Sequence, residues 1–448
     1  MAASALFRAF PGAGRPKAPL VEFLKGSVFY TISPTEPAPR EGVVFFSIDK
    51  KLYYNAFYLD FGPHNLGSTF QFCTVMNKMV AAISTSTNKH RQIHFYSSPD
   101  PHMRANAVCL LACWGVLFHY MTPVQAFAPF AFMSFPAFHD ASPMSTSTFQ
   151  LTILDCLHGL ARAVDHAYIS PTTFDVNEFH HFEQVDNGDL TWISPKLLAF
   201  AGPHSDHSVS PEGYVTLPPE HYIPYFNKRN VALVVRLNEP LYDASRFTSA
   251  GIAHLDLFYP DGGNPPEHIL LQFLQACENA RGGVAVHCKA GLGRTGTCIS
   301  AYMMKHHRFS AKEAVGWLRL CRPGSVIGPQ QQYLENIQAK MWRLGDASAR
   351  KLPVGFPLEM ASDSSSSASP RSPRSPGRGR LLSTRAINIY GGRRSVDLSA
   401  STGVGVTAAY LARMAAAHDE KGAMKTASQG DELLRRKQQP IYQLSPAT

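Results

Sequence analysis

Residues 283 to 296, GVAVHCKAGLGRTG, confine this chain to a narrow set of folds. An uninterrupted apolar run ends at His287, a short loop containing Gly291 and Gly293 follows, and apolar character resumes only after Thr295. Such a run reads as a strand buried on both faces, and the short loop leads directly into a helix that covers the sheet. Gly291 and Gly293 permit backbone angles that other residues resist, so consecutive N–H groups can turn inward as an anion cradle. The helix N-terminus adds unpaired N–H groups and the positive end of its dipole. Lys289, Ala290, Gly291, Leu292, Gly293 and Arg294 are therefore expected to bind a phosphate, with the Arg294 fork taking two of its oxygens.

Cys288 stands in the middle of that positive field. Helix termini and cationic neighbours favour the thiolate, so one arrangement both binds a phosphate and prepares the nucleophile that attacks it. Thr295 is expected to donate its hydroxyl hydrogen to the cysteine sulfur. A glycine-rich turn alone would mean no more than a tight turn, but a nucleotide-binding loop requires G-x-x-x-x-G-K-[ST], which is absent. Displacing an alkoxide or phenolate also requires an acid. Asp261, in LDLFYPDGGNPP, lies 27 residues before Cys288 across one helix, at the same sheet edge. Taken alone it would be a turn residue or cap; in that position it is the expected general acid, and later the base that activates water. Gln330 and Gln331 are candidates for placing that water, though from the residues alone they read equally well as solvent-facing polar side chains.

Strand-like and helix-like segments alternate through two units. In the first, residues 20–170, GSVFYTI (26–32), GVVFFSI (42–48) and RQIHFYS (91–97) read as strands, and 68–84 and 104–120 as helices. In the second, residues 196–347, the expected strands are LLAFAGP, VALVVRL (231–237), AHLDLFYP (253–260) and GVAVH. Helices are expected near 218–230, over 265–280, from Arg294, over 310–321 and over 330–343. The fold class is α/β: two tandem units, each a central, mainly parallel sheet flanked by helices. Between them, residues 171–195 form an acidic, aromatic-spotted linker. IHFYSSPDPHMRANAVCLLA in the first unit matches AVHCKAGLGRTGTCISAYM in the second as strand, loop and helix around an arginine, without the cysteine. This suggests a duplication whose first copy lost its chemistry.

The net charge of +9 resides mostly in the tail: beyond residue 350 there are 14 Lys+Arg against 7 Asp+Glu, leaving +2 for the first 350 residues. A near-neutral folded part argues against nucleic acid as a partner. The eight cysteines include no C-x-x-C pair and several lie in apolar runs, so reduced, buried thiols are expected, without metal or cofactor. The N-terminal residues do not read as a secretory signal. The apolar stretch 107–132 is interrupted at Thr122-Pro123 and reads as a buried helix and a loop, not a membrane span. Residues 355–448, with SDSSSSASPRSPRSPGRGR, read as a disordered basic Ser/Pro-rich tail. Within it, 407–415 and 430–437 have amphipathic helical patterns that would not stand alone.

VHCKAGLGRTGT resembles the signature of the protein-tyrosine-phosphatase fold. CRPGSVIGPQQQYL, FTSAGIAHLDLFYPDGGNPP, FYLDFGPHNLGSTFQFC and NGDLTWISPK narrow the resemblance to the Cdc14 dual-specificity phosphatases, over about residues 20 to 345. The resemblance implies two tandem phosphatase-like domains, only the second catalytic. It also implies Cys288 as nucleophile, Arg294 as phosphate binder, Asp261 as acid, and Gln330 or Gln331 beside the water. The implied substrates are phosphoserine-proline sites made by cyclin-dependent kinases, with phosphothreonine and phosphotyrosine also accepted, in mitotic exit or cytokinesis. A basic residue further along is read by an acidic groove, here drawing on Glu183 and Asp189. Where the family usually has a glutamate, this chain has His180, so preference for that basic residue is expected to weaken. Asp206 stands where the family commonly has a basic residue.

Two other functions fit parts of the pattern. A phosphoprotein-binding scaffold with a weak active site needs only the loop and Arg294, not Cys288 and Asp261 together. An inositide phosphatase usually has more basic residues in the loop than Lys289 and Arg294. Ser369, Ser372 and Ser375, each followed by proline, resemble the implied substrate sites, so phosphorylation and a visit to the active site in cis are expected. The resemblance further implies residence in the nucleus or nucleolus and the cytoplasm, with the centrosome or basal body as another address. Oligomeric state is left open.

Overall fold

The computed structural model describes residues 19–85, 92–143, 147–210, 213–349 and 428–437. The first domain is built on a four-stranded sheet in the order β1 (Val21–Leu24), β2 (Val28–Ile32), β4 (Gln92–Ser97), β3 (Val43–Phe46). The β2–β4 and β3–β4 pairs are parallel, and the unforeseen β1 adds an antiparallel edge. Val28, Tyr30, Ile93 and Phe95 are completely buried beneath the helices. Helices α1 (Leu66–Thr85) and α2 (Pro101–His119) match the expected segments. Every residue of α2 from Ala105 to Leu117 is buried, which is why its apolar character runs all round. Beyond it the expected loop instead starts a short helix, α3 (Pro123–Phe127). Thr122 caps that helix in a reciprocal bond with Gln125, and Pro123 sits at its first position, where a missing N–H costs nothing. Among the described residues, no helix is long and apolar enough to cross a membrane.

The second domain carries a five-stranded sheet in the order β10 (Ala253–Asp256), β9 (Val231–Arg236), β11 (Gly283–His287), β6 (Leu197–Phe200), β5 (Leu190–Trp192). Its first strand, β5 (Leu190–Trp192), comes from the linker and runs antiparallel to β6 (Leu197–Phe200). The linker also holds α5 (Val176–Glu183), so this segment, expected to lack regular structure, contributes both a helix and a strand. Asp175 caps α5 through bonds to the N–H groups of Asn177 and Glu178. After a small hairpin, β7 (Ser208–Val209) and β8 (Val215–Thr216), the chain alternates through α6 (Pro219–Lys228), β9 (Val231–Arg236), α7 (Ser245–Thr248), β10 (Ala253–Asp256), α8 (Glu267–Asn279), β11 (Gly283–His287) and α9 (Gly293–His307). β11 lies at the centre, parallel to both β6 and β9. The loops after β9, β10 and β11 therefore leave by the same edge, where α/β sheets place their ligands.

The two domains share one apolar core. Across it, α4 (Ile153–Asp165) of the first domain packs against α10 (Ala311–Cys321) of the second. A Cβ on Gly159 would lie 2.4 Å from the Glu313 carbonyl, and one on Gly316 would lie 2.9 Å from Cys156 Cα. These glycines bring the helix backbones together, and the Arg162–Glu313 ion pair at 3.1 Å closes the seam. Helix α11 (Pro329–Ala349) follows.

The tail reading requires correction at one place. Residues 429–437 form a helix, α12 (Gln429–Lys437), docked against the active-site face. Leu433 and Leu434 are buried in an apolar cluster with Phe57, Ala201, Tyr214, Leu292 and Ile327. The local pattern was too short to hold a helix by itself; docking supplies the burial it lacks. Apart from 428–437, residues 355–448, including Ser369, Ser372, Ser375 and 407–415, lie outside the described residues.

Candidate active site

Cys288 directly follows β11 and is 3% exposed. The loop from Lys289 to Leu292 leads into α9 at Gly293. Gly291 has φ +65°, and a Cβ there would lie 2.0 Å from the Phe200 carbonyl, so glycine is required by both angle and space. Gly202 is needed for the same close approach: its Cβ would meet the Cys288 carbonyl at 2.3 Å.

A residue that no sequence pattern singles out holds the loop in shape. Arg322, just past α10, is buried, and it donates through Nε to the Gly291 carbonyl (2.9 Å) and through Nη2 to the Ala290 carbonyl (3.1 Å). With these carbonyls drawn outward, the loop's N–H groups are left to face inward. Its Nη1 bonds Asp189 at 2.8 Å. The CRPG motif contained this arginine, but nothing in its spacing shows that the side chain turns back under the loop.

His287 supports Cys288 from the strand side. Its Nδ1 lies 3.0 Å from the Cys288 carbonyl and its Nε2 lies 2.7 Å from Tyr242 Oη. A carbonyl only accepts, so Nδ1 carries the hydrogen and the tyrosine hydroxyl donates to Nε2. Tyr242 then accepts from His254 Nε2 at 2.8 Å, completing a directional chain beneath the loop. Burial pushes His287 down to about 3, which keeps the ring neutral.

Arg294 is 1% exposed. Its Nη1 donates to the Tyr259 carbonyl at 3.0 Å, and the Tyr259 hydroxyl returns a bond to the Arg294 carbonyl at 3.0 Å. Arg294 Nε and Nη2 make no hydrogen bond among the described residues, and Nη2 lies 3.1 Å from Asp261 Oδ1 as an ion pair. Two donors thus remain for an anion next to the expected acid. The structure brings Cys288, Arg294 and Asp261 to one place, as the chain order of strand, acid loop, helix, strand and cysteine loop requires.

The remaining candidates separate. Thr295 Oγ1 is buried with no hydrogen-bond partner among the described residues, so the expected bond to the Cys288 sulfur is not formed. Gln330 lies at the site: its Nε2 donates to the Gly263 carbonyl in the acid loop (3.1 Å), and its Oε1 accepts from Ile327 N. A Cβ on Gly293 would lie 2.9 Å from Gln330 Oε1, which places that side chain against the start of α9. Gln331 instead accepts from the buried Arg319 at 2.7 Å. That bond commits it to the network under α10, so Gln330 alone is placed between the two loops.

The groove residues line a cleft of about 470 Å³ between the domains, with Glu183, Asp186, Asp189, His180 and Lys437 on its wall. Glu183 accepts from Asn65 at 2.5 Å and lies 3.3 Å from His180 Nδ1. Gln71 Nε2 only donates, so His180 Nε2 accepts from it at 3.0 Å and Nδ1 carries hydrogen toward Glu183. His180 therefore engages part of the acidity that the groove retains. Asp206 is exposed and does not line this cleft. All eight cysteines are free and buried.

The first domain repeats the strand, loop and helix but not the chemistry. Asp100 lies between β4 and α2, and its carboxylate accepts from the N–H groups of His102 and Met103, both at 2.9 Å. An acidic cap thus takes donors at the start of α2, whereas α9 of the second domain has no side-chain cap.

Comparison with known proteins agrees with this division. A family model described as the N-terminal half of dual specificity protein phosphatases matches residues 22–163, and one for the dual specificity phosphatase catalytic domain matches 268–341. The chain is 47% identical to zebrafish "Dual specificity protein phosphatase CDC14AB" over 74% of its own length and 54% of that protein. It is 45% identical to human CDC14A, over 74% of this chain and 56% of that one. With human CDC14C the identity is 43%, over 72% of each. The chain thus spans about half the length of the first two relatives it matches. It belongs to the Cdc14 family of dual-specificity protein phosphatases.

Proposed function

We propose that this chain is a protein phosphatase that hydrolyses phosphoserine-proline sites, and also phosphothreonine and phosphotyrosine, through a cysteinyl-phosphate intermediate. Cys288 Sγ attacks phosphorus in line while the loop N–H groups and Arg294 take the charge on the equatorial oxygens. Asp261 gives its proton to the departing serine, threonine or tyrosine oxygen. In the second step Asp261 accepts a proton from water, whose oxygen displaces the cysteine sulfur and leaves inorganic phosphate. Gln330, bonded to the acid loop, is the side chain suited to position that water.

The observation that carries this reading is the meeting of Cys288, Arg294 and Asp261, with Arg294 Nη2 3.1 Å from Asp261 Oδ1. A phosphoprotein-binding scaffold would need no acid there. Identity to Cdc14 relatives supports kinase-made Ser-Pro sites as substrates and a role in cell-cycle control. The same likeness supports a nuclear or nucleolar and cytoplasmic location. The test is turnover of matched phosphoserine-proline, phosphothreonine-proline and phosphotyrosine peptides in the presence of a chelator, with Cys288→Ser as control. Equal, negligible release by both proteins would overturn the reading.

A further inference from the structure

The connection from α10 to α11, which carries Gln330 into place, is held from the domain that lacks the nucleophile. Left-handed backbone recurs along it, at Gly324 (φ +81°), Val326 (φ +62°) and Gly328 (φ +57°). Glycine adopts this conformation freely, but a buried β-branched valine does so only where its surroundings force it. The loop is therefore shaped by its partners and not by its own preferences. Arg319, buried in α10, donates from Nε to the Ser325 carbonyl (3.1 Å) and from Nη2 to the Val326 carbonyl (3.0 Å). A Cβ on Gly296 would lie 3.0 Å from Val326 Cγ2, so that side chain is pressed against the first turn of the helix that carries Arg294.

Further contacts come from the first domain. A Cβ on Gly324 would lie 2.5 Å from the Phe57 ring, and the Phe138 carbonyl accepts from Arg319 Nη1 at 3.4 Å. Asp140 Oδ2 accepts from the Gly328 N–H at 2.6 Å. Asp140 is buried, and its other oxygen accepts from the Ser142 hydroxyl at 3.2 Å. Gly328 stands two residues before Gln330, and its carbonyl accepts from Gln331 N at 3.2 Å. The Asp140 bond thus sets the first turn of α11, from which Gln330 reaches the Gly263 carbonyl of the acid loop. Adhesion between the domains does not require it, because the shared core and the α4–α10 seam already provide that. Burying a carboxylate carries a heavy desolvation penalty, and here the charge-assisted bond that offsets it is aimed at one N–H of this turn.

We infer that Asp140 of the first domain is a positioning residue for hydrolysis of the cysteinyl-phosphate, acting through Gly328 on Gln330. In that step the water oxygen bonds to phosphorus, the S–P bond breaks to leave the Cys288 thiolate, and the water proton passes to Asp261. Asp140 touches none of these atoms; it holds the side chain that holds the water. The inference rests on the proposed phosphatase reading, and it gives the domain without a nucleophile a task in the second chemical step.

The test separates the two steps. In the full chain, Asp140→Ala removes the acceptor, and Asp140→Ser keeps a buried hydroxyl for Ser142 but falls short of Gly328. Each is assayed on para-nitrophenyl phosphate, and rapid denaturation during turnover traps labelled phosphate on the protein. Both variants are expected to lower kcat roughly tenfold or more while KM falls with it, leaving kcat/KM within about twofold, because only the later step is slowed. Trapped phosphoenzyme should rise accordingly. Asp140→Asn, which can still accept from Gly328, should restore most of kcat. In a Gln330→Ala background, Asp140→Ala should slow release of phosphate no further. A kcat/KM that falls as far as kcat without added phosphoenzyme, or an unchanged kcat, would overturn the inference. Phosphoenzyme in the wild-type protein that is absent from Cys288→Ser reports on the phosphatase reading itself, whatever the Asp140 variants do.

Discussion

A 2.8 Å bond from Arg322 Nη1 to Asp189 Oδ1 ties the floor of the loop after Cys288 to the wall of the cleft between the domains. Both side chains are only 3% exposed, and the same guanidinium holds the carbonyls of Ala290 and Gly291. Removing one partner of a buried pair costs up to about 3–5 kcal/mol; Lys437 would still pair Asp189, but the bonds of Arg322 to two loop carbonyls would be lost as well. Arg322→Met is expected to lower stability by that order in urea unfolding and to reduce kcat as the loop's N–H groups lose their aim. Asp189→Asn, which keeps a hydrogen-bond acceptor for Arg322, should cost less stability and act mainly on substrates with a basic residue. If both variants lost only stability, with kcat of the folded fraction unchanged, Arg322 would have no part in shaping the loop.

Asp261 lies where it can protonate a leaving oxygen, and the need for that proton depends on the leaving group. Asp261→Asn is expected to lower kcat on a phosphoserine peptide by roughly 10²–10⁴. Loss should be much smaller on an activated aryl phosphate, whose phenolate departs without help. Equal losses on both substrates would assign Asp261 to binding, through its contact with Arg294, and not to acid catalysis.

Legibility in the sequence followed the range of each interaction. The strand, loop and helix around Cys288 were readable because their geometry is local: an apolar run, two glycines and the start of a helix. Asp261 could be placed because one crossover helix returns the chain to the same sheet edge. Arg322 was not, since its partners lie 31 to 133 residues away and a buried arginine looks like an exposed one in sequence. The Thr295 expectation failed because adjacency in sequence does not aim a hydroxyl. Strand β5 was hidden inside a polar linker, since an antiparallel edge of three residues has too little pattern to detect. Helix α12 shows the same limit: its cap and its Leu433-Leu434 pair were present, but the surface that covers them belongs to other segments.

Two buried histidines set a direction for acid stability. Burial pushes His64 down to about 4 and His287 to about 3, against an ordinary value near 6.5. Between those values the unfolded chain binds more protons than the native one. Stability is therefore fully present above about pH 6.5 and is lost as pH falls toward the native values, at up to roughly 1.4 kcal/mol per pH unit for each ring. Urea midpoints measured at pH 7.5 and 5 should show a clear fall at the lower pH. Equal midpoints would mean that neither ring is kept neutral by the fold.

His180 offers the sharpest probe of specificity because it is bonded to the groove carboxylate it sits beside. Its Nδ1 lies 3.3 Å from Glu183 Oε2, while Asp189 is already paired with Arg322 and Lys437. A substrate lysine entering this cleft therefore meets carboxylates that have partners. His180→Glu removes one of those partners and adds a negative charge to the wall. Partly exposed ion pairs contribute up to about 1 kcal/mol, so discrimination should rise on the order of threefold. Lys437 is bonded to Asp189 in the same cleft, so the comparison is also made with Leu433→Asp/Leu434→Asp, which puts charges into the apolar cluster seating α12 and releases Lys437 from the cleft. The measurement is kcat/KM for a Ser-Pro-x-Lys phosphopeptide divided by that for its Ser-Pro-x-Ala counterpart. An unchanged ratio would show that the basic residue is read elsewhere, and that His180 only packs against Gly67 and Gln71.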